Sequence, residues 1–187
     1  MWMTTLNKIR SHSPPADIWD RLLNHLGKTT GDDQPLPIIK IIDRCGFDDA
    51  LWCLRAVDDH CTEIRLYAVW CARRTKNRMK DHRSATVIHV AERFLNGLAT
   101  HEELIFSCQQ ATAAAKAADA EDNEDYASAD ASWAALNAAR AALGCVDAVV
   151  SATARAADAA RANDADERAA WAAERHAQEE KLREVAK

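Results

Sequence analysis

Turn-forming residues are scarce in this chain, with five glycines and four prolines in 187 residues. So few punctuation points, and so few β-branched runs, argue against a sandwich or barrel and for helices joined by short loops. Aromatics amount to only 6%. No apolar run approaches the ~20 residues needed to cross a bilayer. Met1 to Lys8 lacks the basic start and long apolar stretch of a secretory signal, so a cytoplasmic location is expected. Among the six cysteines (Cys45, Cys53, Cys61, Cys71, Cys108 and Cys145) no C-x-x-C pair occurs. Without export, these thiols are expected to be reduced and, in several cases, to pack on apolar helix faces.

Signatures of catalysis are missing too. G-x-S-x-G and H-E-x-x-H do not occur, and the seven histidines are scattered. Gly27-Lys28-Thr29-Thr30 matches only the end of a phosphate-binding loop: Leu22 stands where the first glycine belongs, and no strand precedes it. A zinc site would need Cys53, His60 and Cys61, whose spacing fits no common pattern. Asp58-Asp59-His60 holds acid and base groups, but a polar turn between helices accounts for them equally well. The sequence therefore predicts a non-enzymatic protein with no metal and no cofactor.

What the chain does contain is helix. Hydrophobic residues make up 48%, and between Ala111 and Glu180 alanine fills 30 of 70 positions. Alanine has the highest helix propensity and lets helices approach closely. Ser13 is expected to cap a helix that starts at Pro14, carries Ile18, Trp19, Leu22, Leu23 and Leu26, and stops at Gly27. Pro35-Leu36-Pro37 is expected to open a short helix ending at Gly46. Ala50-Leu51-Trp52-Cys53-Leu54-Arg55 and Ala68-Val69-Trp70-Cys71-Ala72-Arg73 echo each other eighteen residues apart, suggesting a helical hairpin whose second arm runs from about Thr62 to Met79. Ser84 is expected to cap a helix that runs through Phe94 and Leu95 and closes at Asn96-Gly97. Thr100 and Glu103 form a capping box. Further helices are expected over 101–120, 125–143, 146–162 and 164–186, with Trp133, Leu136, Leu143, Trp171, Leu182 and Val185 anchoring their packing. The fold class is thus all-α: an antiparallel bundle or hairpin array of about eight helices, divided into residues 1–100 and an alanine-rich, acidic 101–187.

Charge is unevenly shared. Residues 1–100 carry 15 Lys and Arg against 12 Asp and Glu, whereas residues 101–187 carry 9 against 17. The one basic cluster spans 73–83, where Arg73, Arg74, Lys76, Arg78, Lys80 and Arg83 could contact phosphates, although no aromatic residue interleaves with them. A helix C-terminus offsetting its own dipole is the competing account. The acidic counterpart is Glu121, Asp122, Glu124 and Asp125 beside Tyr126, a surface suited to a basic patch on another protein.

Asp49 to Asp58 and Glu63 to Arg73 resemble a family of phage and prophage proteins. The likeness extends to His89-Val90-Ala91-Glu92-Arg93-Phe94-Leu95-Asn96-Gly97, to Thr100-His101-Glu102-Glu103-Leu104, and to the Ala, Arg and Trp-rich tail. His89 stands where the pattern has aspartate, so no role for that carboxylate carries over. The same order is similar to all-helical immunity proteins of polymorphic toxins. That resemblance implies a mobile-element protein that binds a bacterial protein target, either a toxin or a nucleic-acid-handling defence complex such as CRISPR, within the host cell. It places partner-binding positions at Asp58, Asp59 and Arg65 beside the acidic segment, with Trp70 as an aromatic counterpart. A homo-oligomer built on alanine faces, and nucleic-acid binding through 73–83, are the alternatives.

Overall fold

The computed structural model describes residues 1–57, 61–120, 126–145, 147–160 and 167–187. Among them 79% are helical, in ten helices beside one two-stranded sheet, so the chain is all-α as its composition indicates. Packing divides the described residues into two compact units, 1–61 with 181–187, and 62–180. Composition changes near residue 100, whereas packing changes after residue 61.

In the first unit, β1 (Met3–Thr4) pairs antiparallel with β2 (Leu36–Pro37), Met3 opposite Pro37 and Thr4 opposite Leu36. Helices α1 (Leu6–Ser11), α2 (Ala16–Leu26), α3 (Ile38–Cys45) and α4 (Phe47–Cys53) surround a core of Trp2, Leu6, Ile9, Leu22, Ile38, Ile41 and Leu51. Two expected starts move, for one reason. A residue before proline is pushed out of the helical region. Pro14 precedes Pro15, so α2 begins at Ala16 and Ser13 (φ 54°) does not cap it. Leu36 precedes Pro37, so that segment is strand and α3 begins at Ile38. Gly27 closes α2 in the left-handed conformation (φ 66°), as its position predicted. Asp49, buried at the start of α4, is held by Arg21 through two bonds of 3.1 and 2.8 Å.

The second unit holds α5 (Cys61–Arg74), α6 (His82–Leu95), α7 (His101–Ala120), α8 (Tyr126–Ala142), α9 (Asp147–Ala160) and α10 (Glu167–Val185) as far as residue 180. Helix α5 ends five residues before Met79. The buried Thr75 hydroxyl donates to the Ala72 carbonyl (2.9 Å), offering the chain an alternative to the helical ladder. Thr100 and Glu103 satisfy each other's amides at 2.7 and 3.1 Å, the reciprocal box expected at the start of α7.

Helix α8 lies against α6, α7 and α9. Twelve of its 17 residues are buried, nine of them alanine. A side chain of one methyl lets three neighbouring helices close on the same rod. Leu136 is buried as expected, but Leu143 is exposed, and Trp133 and Trp171 are only half-buried. A buried polar connection links α5, α9 and α10. Tyr67 donates to the Gln178 carbonyl (3.2 Å), and Gln178 Nε2 donates to the Thr153 carbonyl (3.1 Å) and to Glu174 (3.2 Å).

The cap of α6 is Asp81, not Ser84. Its carboxylate accepts the Arg83 amide (2.8 Å) and the Arg83 guanidinium, while Ser84 is turned into the core with its hydroxyl unpartnered. The Arg83 guanidinium, then its amide, hold the Asp81 pKa down at about 2. A depressed carboxylate contributes stability above its unfolded value near 3.8 and loses it as pH falls toward 2. Asp81→Ala is therefore expected to cost about 1 kcal/mol at neutral pH. In urea titrations, the gap between variant and parent should close between pH 4 and 2. A gap that stays constant over that window would show that the carboxylate's charge is not what stabilises α6.

Five of the cysteines are free thiols: Cys53 and Cys71 buried, Cys45 and Cys108 half-buried, Cys145 exposed. Burial pushes the Cys71 thiol up to about 12 and that of Cys45 to about 11, which disfavours the reactive thiolate. No described helix is long and apolar enough to cross a membrane.

Candidate functional site

Burial of α8 leaves one stripe uncovered. Tyr126, Asp130, Trp133, Asn137 and Arg140 are its only residues outside the buried set, spaced four, three, four and three apart. That spacing keeps them on one face of a helix. Alanine and serine dominate the remainder, so the helix puts its bulk and polarity outward along a single line.

Neighbouring helices fix the stripe's side chains. Trp133 Nε1 donates to Asp119 Oδ2 near the end of α7 (2.8 Å), which orients the half-exposed indole. Asp130 accepts from Arg155 of α9 (2.5 Å). Burial raises the Asp130 pKa. The Arg155 charge opposes that rise, and the nearby carboxylates Asp158 and Asp119 add to it. Tyr126 is 75% exposed at the helix start, next in sequence to Glu121–Asp125. Beside Trp133 the surface therefore combines aromatic area with the carboxylates of Asp119 and Asp130, and Arg155 is bonded to Asp130. Amphipathic rings ringed by acceptor oxygens suit recognition of a cationic protein surface. Among the described residues, no three His, Cys, Asp or Glu side chains are placed to hold a metal ion.

The other residues singled out from sequence fall in separate places. Glu121, Asp122, Glu124, Asp125, Asp58 and Asp59 lie outside the described residues. Arg65 is half-buried, and its Nη2 lies 3.5 Å from where a Cβ on Gly144 would sit, in the turn after α8. Arg65 and Tyr126 thus mark opposite ends of α8, about 25 Å apart by helical rise.

The basic cluster is largely committed within the unit. Arg73 pairs with Glu92. Arg74 grips both oxygens of Glu174 (2.9 and 3.0 Å) and lies 4.9 Å from the Trp70 ring centre. Arg83 clamps Asp81. Lys76 and Lys80 are exposed and Arg78 is half-buried. At least three of the six cations therefore already face carboxylates, which lowers what the segment offers to phosphate.

A concavity lies between α6 and α7. It encloses about 450 Å³ and is lined by His82, Val90, Glu103, Phe106 and Gln110, with Phe106 itself 63% exposed.

Sequence reasoning counted Asp130 among the acids of the second half, but placed Trp133 in the core and passed over Asn137 and Arg140. The signal was there: in an Ala and Ser helix, the large and polar residues recur at a helical interval. Hydrophobicity alone does not separate Trp133 from a packing anchor such as Leu136, which lies three residues on.

The chain is all-α, and its second unit packs around the alanine-rich α8, whose uncovered line carries Tyr126, Asp130 and Trp133. Compared with known proteins, the chain matches no family model, no curated protein and no solved structure.

Proposed function

We propose that this is a non-enzymatic binding protein, encoded by a phage or other mobile element, that inhibits a bacterial protein by covering its working surface. The target is a defence complex that handles nucleic acid, or a toxin. The observation that carries this is the α8 face, where Tyr126 and Trp133 stand with Asp119 and Asp130 and continue in sequence into four more carboxylates. Aromatic residues are over-represented at protein interfaces, and complementary charge speeds encounter and selects partners. The mobile-element origin and the inhibitory role rest on the resemblance carried by residues 49–58, 63–73 and 89–97. The internal pairing of Arg73, Arg74 and Arg83 favours this over nucleic-acid binding through 73–83.

The test is capture of the target from a host lysate, identification by mass spectrometry, and titration of the target's activity with the purified protein. Lysine at Glu121, Asp122, Glu124 and Asp125 together is expected to weaken inhibition by about 100-fold or more, because four attractions become repulsions. Undiminished inhibition by that variant would remove the acidic segment from the contact.

A further inference from the structure

Within the second unit, α10 is buried along a line unlike that of its neighbours. Over residues 167–180 the fully buried side chains are Glu174 and Gln178, four apart and so on one face. Trp171 and Ala177 flank them half-buried. Helix α9, by contrast, buries Val149 and five alanines beside Thr153. We propose that residues 167–180 form a strap, latched to α5 and α9 by buried polar groups, that lifts away while the rest of its unit stays folded and uncovers the Cys71 thiol.

The latch is built from charge and hydrogen bonds. Arg74 Nε reaches both oxygens of Glu174, at 2.9 and 3.0 Å. Tyr67 donates to the Gln178 carbonyl at 3.2 Å, while Gln178 Nε2 donates to the Thr153 carbonyl at 3.1 Å and to Glu174 at 3.2 Å. Thr153 Oγ1 lies 4.0 Å from Cys71 Sγ, which brings the buried thiol up to the same cluster. Contacts of this kind fix a register but hold weakly. Removing an ion pair from water offsets much of its attraction, and a buried hydrogen bond replaces one made to water. An aliphatic seam gains by leaving water, and this stretch of α10 has no fully buried aliphatic side chain. Local opening draws on segments with few buried apolar contacts. Burial pushes the Cys71 thiol up to about 12, so alkylation of that sulfur reports opening.

The full chain is labelled with iodoacetamide in steps of urea below its unfolding transition, and each cysteine is read by tandem mass spectrometry. Cys71 is expected to label at least about 100-fold faster than global unfolding permits, at a rate that low urea leaves unchanged. Hydrogen exchange of the 167–180 amides should keep pace with it and run ahead of α8. Glu174→Gln and Tyr67→Phe should each speed Cys71 labelling about tenfold, since each removes one arm of the latch and leaves its partner buried. Arg73→Gln, which breaks a pair with Glu92 of α6 instead, should leave the rate unchanged. Circular dichroism confirms that each variant remains folded. Cys71 labelling that rises with urea as global unfolding does, or that ignores Glu174→Gln and Tyr67→Phe in folded variants, would overturn the strap. Fast exchange of the 167–180 amides with Cys71 still protected would reduce the motion to fraying, and the proposal falls with that result as well.

Discussion

Trp2→Ala is expected to destabilise the N-terminal unit by about 3–5 kcal/mol, the range for deleting a fully buried large aromatic side chain. Its side chain is 1% exposed, although it stands second in the chain. Its backbone is fixed from both sides as well. The Trp2 amide donates to the Ala186 carbonyl (2.8 Å), and its own carbonyl accepts the Ile38 amide (3.0 Å), so the residue ties both ends of the chain and the start of α3 into one core. With a urea dependence of about 1–3 kcal/mol per molar, the midpoint should fall by at least about 1 M. Met3→Ala, at a 37% exposed neighbour, is the matched control. Far-UV circular dichroism is the appropriate reading, because the substitution removes a fluorophore. A Trp2→Ala midpoint no lower than that of Met3→Ala would show that the indole is not part of the core.

Adding volume to α8 should be as damaging to the second unit as removing it from Trp2 is to the first. Ala135→Leu is expected to cost about 3 kcal/mol, at the upper end for overpacking. Ala135 is 0% exposed on a helix that packs against α6, α7 and α9, so three added carbons have no solvent to enter and must push against packed neighbours. Ala117→Leu, on an exposed position of α7, should change stability by no more than about 0.5 kcal/mol. Both are read from urea midpoints. Leucine is also a good helix former, so a loss at 135 reports on tertiary packing and not on propensity. Equal midpoints for the two variants would mean that α8 is not enclosed as described.

Much of the secondary structure was legible because its signals are local. Gly27, the Thr100 and Glu103 box, and the alanine-rich stretches act through their own backbone or the next few residues. The misplaced starts at Ser13 and Pro35 were local too, and follow from the restriction that a second proline imposes on its predecessor. Ser84 was different. Both Asp81 and Ser84 are able to cap a helix, and the choice fell to whichever side chain the core did not take.

The candidate site was legible only in part. Tyr126 was marked by the charges that precede it, but Trp133 was assigned to the interior, because hydrophobicity alone does not say which way a helix is turned. Arg73, Arg74 and Arg83 illustrate the same limit. Their density on the chain suggests a phosphate surface, yet Glu92 and Glu174, one of them 100 residues away, come up to neutralise two of them.

Taken alone, the order of residues determined that this protein is helical, roughly where its helices lie, and that its second half is acidic, since propensity, capping and charge all act over a few positions. Tertiary structure decided which line of α8 meets solvent, which cations are already spoken for, and that Trp2 is interior. Those outcomes depend on side chains far apart in the chain competing for the same space.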